Sequence, residues 1–412
     1  MVDHFFVDPL TLRRLRTGPL GEHIDRFAAL LSERGYARQT AKAQIRLVAD
    51  LSHWLQRRRL GVGDLDEQRV LRFLRHKRRD GRVYPGEAAT LGVFLEQLRH
   101  TGVVPIMVSK GDKPVLRPIE CVFALYLLQE RGLSQATLRN YLPLVRCFLS
   151  DRFGKGPIRC EALGPPDIVG FLLRHLKTVS LGRGKLMVTA LRSFFRFLRL
   201  RGDIGTDLAA AVPPVAHWRL FTLPKSLKPE QVERLLASCN QATATGQRDY
   251  AVLLLLARLG LRAGEVVAMT LEDIDWVAGE LTVRGKNAQR ERLPIPQDVG
   301  EALVKYLRHV RPRCSTRRVF VRMRAPRRGF ASSVALCMIV RRAIDRAGLH
   351  PANKGAHLLR HSLATQMLRK GASLAEIGEI LRHRAPNTTE IYAKVDLVAL
   401  RALAQPWPGA KA

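Results

Sequence analysis

The first half of the chain contains an internal repeat, which becomes visible when the sequence is shifted by roughly one hundred positions. The segment 30–35 (LLSERG) corresponds to 127–132 (LLQERG), and Gly102 corresponds to Gly202. Apolar residues in each copy recur at helical spacing, so each copy is predicted to be a bundle of about four helices. The corresponding positions follow one another in order, which chance similarity between two helical segments does not explain. Further pairs are Thr40 and Thr137, Leu47 and Leu144, Leu51 and Phe148, Phe73-Leu74 and Phe171-Leu172, Leu91 and Leu191, and Phe94 and Phe194.

Clusters of proline, glycine and lysine separate the two copies from each other and from the rest of the chain. They occupy 104–118 and 212–226, and their prolines cannot continue a helix. A chain of 412 residues is also long enough for two or three domains. We therefore expect an N-terminal tail (1–20), a helical module (21–104) that duplicates the next one, a second helical module (118–211), a linker (212–226) and a C-terminal domain (227–412).

The C-terminal domain is predicted to combine helices with a small β-sheet. Pro229 begins a helix, and residues 247–259 are apolar enough for a largely buried one. Residues 280–284 and 292–295 alternate as strands around a polar turn, which predicts a hairpin. The expected fold class is mainly α with a small sheet, and the C-terminal domain is α+β. Further expected elements are a helix over 332–347, a helix from the capping-box pair Ser373 and Glu376 to about His383, and a short helix bearing Tyr392.

The composition is strongly basic, with 69 Lys and Arg against 36 Asp and Glu and a formal net charge of +33. Such a surface repels itself unless a polyanion is near, and nucleic acid is the usual polyanionic partner. Charge alone leaves open a ribosomal protein or a protein of the membrane surface.

Several other classes of protein are disfavoured by the sequence. The six cysteines contain no CxxC or CxxxC pair, which argues against a zinc finger and a disulfide framework. The N-terminus lacks the pattern of a signal peptide, and the longest apolar run, 251–257, is too short to cross a bilayer. We expect no metal, no cofactor and no membrane partner, and a cytoplasmic, nucleoid-associated protein.

Basic and nucleophilic side chains in the C-terminal half match what is needed to break a phosphodiester without a metal. Negative charge gathers on the phosphate oxygens in the transition state, and planar guanidinium groups can bind it. Arg262 follows a buried helix, and Arg360 lies one helical turn after His357. Each signal is common by itself, but their order along the chain is specific. The set is completed by Lys286 at the hairpin tip, His383 and Tyr392.

Five short motifs carry a resemblance to a known family. They are Gly260-Leu261-Arg262 with Glu265, Gly285-Lys286, His357-Leu358-Leu359-Arg360-His361-Ser362, Leu381-Arg382-His383, and Ile391-Tyr392. Together they resemble the catalytic domain of tyrosine recombinases, also called the phage integrase family, which includes Xer-type enzymes. The segment 118–207, with Tyr141, Phe148 and the run from Phe194 to Leu198, resembles the helical core-binding domain of the same family.

The resemblance implies a mechanism for the reacting groups. Tyr392 is the nucleophile that forms a 3′-phosphotyrosine and releases a 5′-hydroxyl. Arg262 and Arg360 clamp the scissile phosphate, and Lys286 is the general acid that protonates the 5′-oxygen. Religation needs neither ATP nor metal, because the bond energy is kept in the phosphotyrosyl ester.

The resemblance also implies supporting roles. His357 assists proton transfer at the tyrosine, His383 hydrogen-bonds the phosphate, and Glu265 orients an arginine without touching DNA. His361 is interpreted as a residue of the helix face that supports the fold. The departures from the family pattern are Arg382 for a usual glycine, Leu259 for a frequent threonine and Ala356 for a common proline.

The predicted function is site-specific recombination of double-stranded DNA by an enzyme of a mobile element. The two helical modules and the C-terminal domain are expected to form a clamp around the duplex, and a dimer or tetramer is expected to act on DNA, with partner recombinases left open. The tail 395–403 packs on its own domain or on a neighbouring protomer, and the first module contacts DNA or protein. The alternatives are a chromosome or plasmid dimer resolvase, a type IB topoisomerase, a DNA-binding protein with a relic active site, and an architectural protein.

Overall fold

Helices form most of the chain, and a three-stranded sheet lies in the C-terminal domain, which confirms the predicted fold class. The computed structural model describes residues 1–80, 86–105, 117–154, 156–215, 223–285, 290–383, 385–395 and 400–401. The chain divides into two units, one of Met1–Ile106 with Thr222–Ala412 and one of Met107–Phe221. The predicted clamp depends on the placement of these units and stays a prediction. None of the described helices has the length and apolar character needed to span a membrane.

The N-terminal module is a helical bundle with a hydrophobic core of its own. Phe27 and Phe94 meet edge to face in this core, with ring centroids 5.1 Å apart. Trp54 packs in the same way on Phe73 at 5.9 Å. The helices are α1 (Pro9–Arg16), α2 (Gly21–Glu33), α3 (Arg38–Arg57), α4 (Glu67–Asp80) and α5 (Glu87–His100).

The first 20 residues belong to this module, so the prediction of a separate N-terminal tail is wrong. Val2, Phe5 and Phe6 are buried in the module core. The Asp8 side chain caps α1 by accepting hydrogen bonds from the backbone N–H groups of the first turn. The tail was predicted because the repeat begins near residue 21, but the short apolar clusters before it are sufficient to fill one side of the bundle.

The second module repeats the order of elements found in the first. In each module a short 3₁₀ turn, Val62–Asp64 or Cys160–Ala162, precedes the last helix but one. In each module a glycine in the left-handed region follows the last helix, Gly102 with φ +71° and Gly202 with φ +79°. This common order supports the predicted duplication. The helices of the second module are α6 (Pro118–Leu125), α7 (Gln135–Phe153), α8 (Pro165–Leu176) and α9 (Leu181–Leu200).

The C-terminal domain is built around one buried helix. Every residue from Ala251 to Ala257 in that helix is buried, because other helices pack on several of its sides. The helices are α10 (Pro229–Ala237), the central α11 (Ala244–Arg258), α12 (Ala263–Ala268), α13 (Gln297–Lys305), α14 (Val334–Arg346), α15 (Ala356–Arg369) and α16 (Leu374–Ile380).

The sheet consists of three antiparallel strands, β1 (Ile274–Asp275), β2 (Glu280–Arg284) and β3 (Arg290–Pro294), in sequential order. Leu281 of β2 faces Leu293 of β3, so the alternating apolar positions of the hairpin point to the same side. The predicted hairpin therefore forms. Its turn, including Lys286, lies outside the described residues.

Candidate active site

Helix α15 carries three of the chemically interesting side chains on one face. His357, Arg360 and His361 follow the three-and-four spacing that places residues one turn apart. Arg360 is 4% exposed, whereas His357 is exposed. The helix therefore carries the buried guanidinium of Arg360 on the same face as the imidazole rings of His357 and His361.

The buried guanidinium of Arg360 is held by backbone carbonyl groups. Its Nη1 donates to the carbonyl oxygen of Gly260, and its Nη2 donates to that of Leu381. Burial, and then the neighbouring charges of Arg262 and Arg382, lower the pKa of Arg360 to about 10. The group is thus still a cation at neutral pH, and it is fixed before any ligand arrives.

Arg262 reaches the same place from the start of α12. Its Nη1 donates to Oε1 of Glu265 at 2.7 Å, and its backbone N–H donates to Oε2 of that carboxylate at 2.8 Å. Its Nη2 donates to the carbonyl oxygen of Arg382 at 3.1 Å. Glu265 thereby fixes the direction of the arginine.

The two guanidinium groups converge on one short segment. Arg360 binds the carbonyl of Leu381 and Arg262 binds the carbonyl of Arg382, which is the next residue along the chain. Two arginines that are 98 positions apart in sequence therefore lie side by side, next to His383. This arrangement can bind two oxygens of one phosphate.

Arg382 supplies a third guanidinium where the resembling family usually has glycine. Its φ of +57° lies in the left-handed region, which explains the preference for glycine at this position. Its side chain is buried, and Nη2 donates to Oε2 of Glu265 at 3.0 Å. Its Nε lies 3.7 Å from Oε2 of Glu291 in β3. The arginine thus links the carboxylate that orients Arg262 to the hairpin.

His383 lies immediately after these residues and is held by a hydroxyl group. Its Nδ1 lies 2.7 Å from Oγ1 of Thr389. Burial, and then the charges of Arg360 and Arg262, lower the pKa of His383 to about 4. The ring is therefore neutral at pH 7, and Nε2 is left to interact with a ligand.

Tyr392 is buried in a small hydrophobic cluster that is separate from the main core of the domain. It is 1% exposed and lies in the 3₁₀ segment Glu390–Val395. Burial raises the pKa of its phenol to about 12, against an opposing effect of Arg360. The buried neighbours are Ala364, Leu368, Ile377 and Leu381.

His361 contacts the phenol, so its interpretation as a purely supporting residue was incomplete. Its Nδ1 lies 2.8 Å from Oη of Tyr392. Burial, and then His357 and Arg360, lower the pKa of His361, so its ring is neutral at pH 7 and can accept the phenol hydrogen. Its position four residues after His357 places the two histidines on one helix face, but this spacing does not reveal the contact with Tyr392.

His357 has a different environment. Partial burial, and then Arg360 and Arg262, lower its pKa. Its ring centroid lies 6.3 Å from that of His361, and no hydrogen bond joins it to Tyr392 among the described residues. The structure therefore brings together Arg262, Glu265, Arg360, His357, His383 and Tyr392, and adds His361 and Arg382.

Comparison with known proteins identifies the family. The model described as the phage integrase family matches residues 225–397, and that of its N-terminal SAM-like domain matches residues 122–202. A putative integrase/recombinase of Sinorhizobium fredii, y4rA, is 44% identical over 98% of this chain and 99% of its own length. The chain belongs to the phage integrase family of tyrosine recombinases. The tyrosine recombinase XerD of Listeria monocytogenes is 31% identical over 68% of this recombinase and 94% of its own length.

Solved structures agree with the recombinase fold. XerH bound to its palindromic difH substrate in a post-cleavage complex has a TM-score of 0.56 and 21% identity, over 70% of this recombinase and 85% of the XerH chain. A lambda integrase tetramer bound to a Holliday junction has a TM-score of 0.51 and 19% identity, over 71% of this recombinase and 78% of that chain. The recombinase is an enzyme that cleaves and rejoins DNA strands.

Proposed function

We propose that this recombinase exchanges double-stranded DNA at specific sites through a 3′-phosphotyrosyl intermediate formed by Tyr392. The observation that carries the proposal is the convergence of the Arg262 and Arg360 guanidinium groups on adjacent carbonyls beside His383. Both cations are held in place by protein groups and can bind the oxygens of one phosphate. The buried phenol is in the same domain and already hydrogen-bonded.

The chemical step is a transesterification. The phenol oxygen of Tyr392 attacks phosphorus, the bond from phosphorus to the 5′-oxygen breaks, and the phenol proton leaves through a base. Lys286 gives its proton to the departing 5′-oxygen. Arg262, Arg360 and the neutral His383 stabilise the extra charge on the non-bridging oxygens. A 5′-hydroxyl later attacks the phosphotyrosyl ester and reverses these transfers, so neither ATP nor metal is consumed.

His361 is proposed to be the hydrogen-bond partner that orients the phenol for attack. In this role it replaces His357, which was expected to assist the tyrosine. The support is the 2.8 Å separation of Nδ1 and Oη and the lowered pKa of the ring, which leaves a lone pair to accept the hydrogen. His357 faces outward and is then available to the substrate phosphate or to a water.

The biological setting is proposed to be a mobile element, in which paired cuts on two duplexes require a dimer or tetramer on DNA at the nucleoid. The relative y4rA is named as an integrase/recombinase, which favours integration. The second candidate is resolution of chromosome or plasmid dimers, and partner recombinases would fit that candidate.

Covalent capture tests the proposed function. The full chain is mixed with a pool of nicked duplexes of randomised sequence, and DNA that remains bound after denaturation is recovered. We expect an adduct with the wild type and none with Tyr392→Phe, which keeps the buried ring but lacks the nucleophilic oxygen. If the wild type forms no adduct, the result would support a DNA-binding protein with a relic active site. If an adduct still forms with Tyr392→Phe, Tyr392 is not the nucleophile. Relaxation of plasmids without a defined site would point to a topoisomerase.

A further inference from the structure

Helix α4 of the N-terminal module presents a row of arginines to solvent. Arg72, Arg75 and Arg79 are all exposed, and their spacing of three and four residues places them on one face. The opposite face contributes Val70 and Phe73 to the module core. At a rise of about 1.5 Å per residue the row is about 10 Å long. We call these three residues the α4 arginine row.

The charges of this row are not neutralised within the described part of the chain. None of the three arginines forms an ion pair there, although other basic residues nearby do. Lys77 of the same helix is paired with Glu87, and Arg99 of α5 is paired with Glu67. The module therefore uses its acidic groups elsewhere and leaves the row with free donors.

A second basic stretch lies at the end of α3, which packs against α4. The Arg58 guanidinium lies 4.6 Å from the centre of the Trp54 ring, and Trp54 packs on Phe73 in the middle of α4. Arg57, Arg58 and Arg59 are exposed. This aromatic contact packs α3 against the core side of α4, which is the face opposite to the row.

Two of the three charges of the row are specific to the first module. Helices α4 and α8 begin 98 residues apart, so the three arginines correspond to Gly170, Leu173 and Lys177 of the second module. The two modules nevertheless have the same excess of positive charge, with 19 Lys and Arg against 12 Asp and Glu in 1–105, and 14 against 7 in 118–211. The two modules therefore differ in where their positive charges lie and not in their net charge.

We infer that the N-terminal module is a second DNA-binding module, which contacts the phosphates of duplex DNA through the α4 arginine row. The phosphates of one strand are spaced by about 3.4 Å along the helix axis, so a row of about 10 Å can follow about three of them. A surface for a protein partner usually has large apolar or aromatic anchors, and Leu71 is the exposed apolar side chain of α4 in the described residues. The inference deepens the proposed function, on which it rests for the presence of DNA.

Salt dependence of binding tests the inference, because each lost phosphate contact lowers the slope of log affinity against log salt by about 0.9. The full chain with Arg72→Gln, Arg75→Gln and Arg79→Gln is titrated with a fluorescent duplex of random sequence at several salt concentrations. We expect the magnitude of the slope to fall by about 3. The matched control removes three exposed arginines of α1 and α2 by Arg13→Gln, Arg14→Gln and Arg26→Gln, and its slope should change by less than about 1.

Equal changes in the two triple variants would overturn the inference, because loss of net charge alone would then explain the result. A variant with lysine at all three positions keeps the charges and should restore the slope, which a defect in folding would not do. Tyr392→Phe should bind with the slope of the wild type. If covalent capture fails but the triple variant of the α4 arginine row still lowers the salt slope, the result counts against the proposed chemistry. It does not count against the contact between the row and DNA.

Discussion

At the scale of single residues, the candidate active site combines two guanidinium groups held by backbone carbonyls with a phenol that contacts a histidine. Arg262 and Arg360 could be selected because a guanidinium just after a buried helix and another one turn after a histidine are rare in combination. His361 could not be assigned in the same way, because a histidine on a helix face has the same sequence signal whether it contacts a leucine or a phenol. Its role depends on Tyr392, which reaches it from 31 residues away.

Substitutions of His361 distinguish orientation of the phenol from general support of the fold. Asparagine can place a carbonyl oxygen near the position of Nδ1, whereas the longer glutamine side chain imitates Nε2. We therefore expect His361→Asn to keep more of the single-turnover rate of adduct formation than His361→Gln, and His361→Ala to lose about 100-fold. A 5′-bridging sulfur in the substrate should rescue loss of Lys286 but not loss of His361. Equal rates in the asparagine and glutamine variants would contradict the assigned contact.

At the scale of elements, helix starts were easier to predict than helix ends. Pro229 begins α10, and Ser373 and Glu376 form the predicted capping box at the start of α16. That helix was expected to reach about His383, but it ends at Ile380. The N–H groups of Arg382 and His383 return to the carbonyls of Glu379 and Gly378, each at 2.8 Å, in a Schellman motif. The end of this helix could not be predicted from the sequence, because the residue with positive φ is an arginine and not a glycine.

The backbone cost at Arg382 can be separated from the contribution of its side chain. Arg382→Gly and Arg382→Ala both remove the ion pair with Glu265, but only glycine adopts the left-handed region freely. We expect the glycine variant to be more stable than the alanine variant by about 1 kcal/mol in urea unfolding. Both variants should be less stable than the wild type, because Glu265 loses a buried partner. If alanine equals glycine, the positive φ is not the reason for the family preference.

At the scale of the whole molecule, the sequence misjudged one boundary. Its repeat and proline clusters correspond to three separate hydrophobic cores, one for each module and one for the C-terminal domain. The N-terminal residues were misassigned because a repeat shows only what the two copies share, and Val2, Phe5 and Phe6 belong to the first copy alone. The predicted clamp around DNA depends on the long-range placement of the modules, for which local sequence patterns carry no signal.

The unfolding free energy should fall as the pH is lowered from about 6.5 towards about 4. His357, His361 and His383 have pKa values lowered by the fold, so the unfolded chain binds more protons than the folded chain in this interval. We expect His383→Gln to reduce the loss of stability between about pH 7 and pH 5, measured as the urea midpoint. The control is His309→Gln, which removes an exposed histidine and should leave the loss of stability unchanged. An unchanged pH dependence in His383→Gln would contradict the lowered pKa.

Tyr392, the proposed nucleophile, belongs to a satellite cluster of five buried residues, and not to the main core of its domain. Lifting segment 390–395 away would forfeit roughly 3 kcal/mol of aromatic burial and about 1 kcal/mol of hydrogen bonding, while a typical domain has 5–15 kcal/mol of stability. The arginines would stay in place, since carbonyls outside this segment hold them. Tyr392 can therefore leave the active site, with loss of activity, while the rest of the domain stays folded.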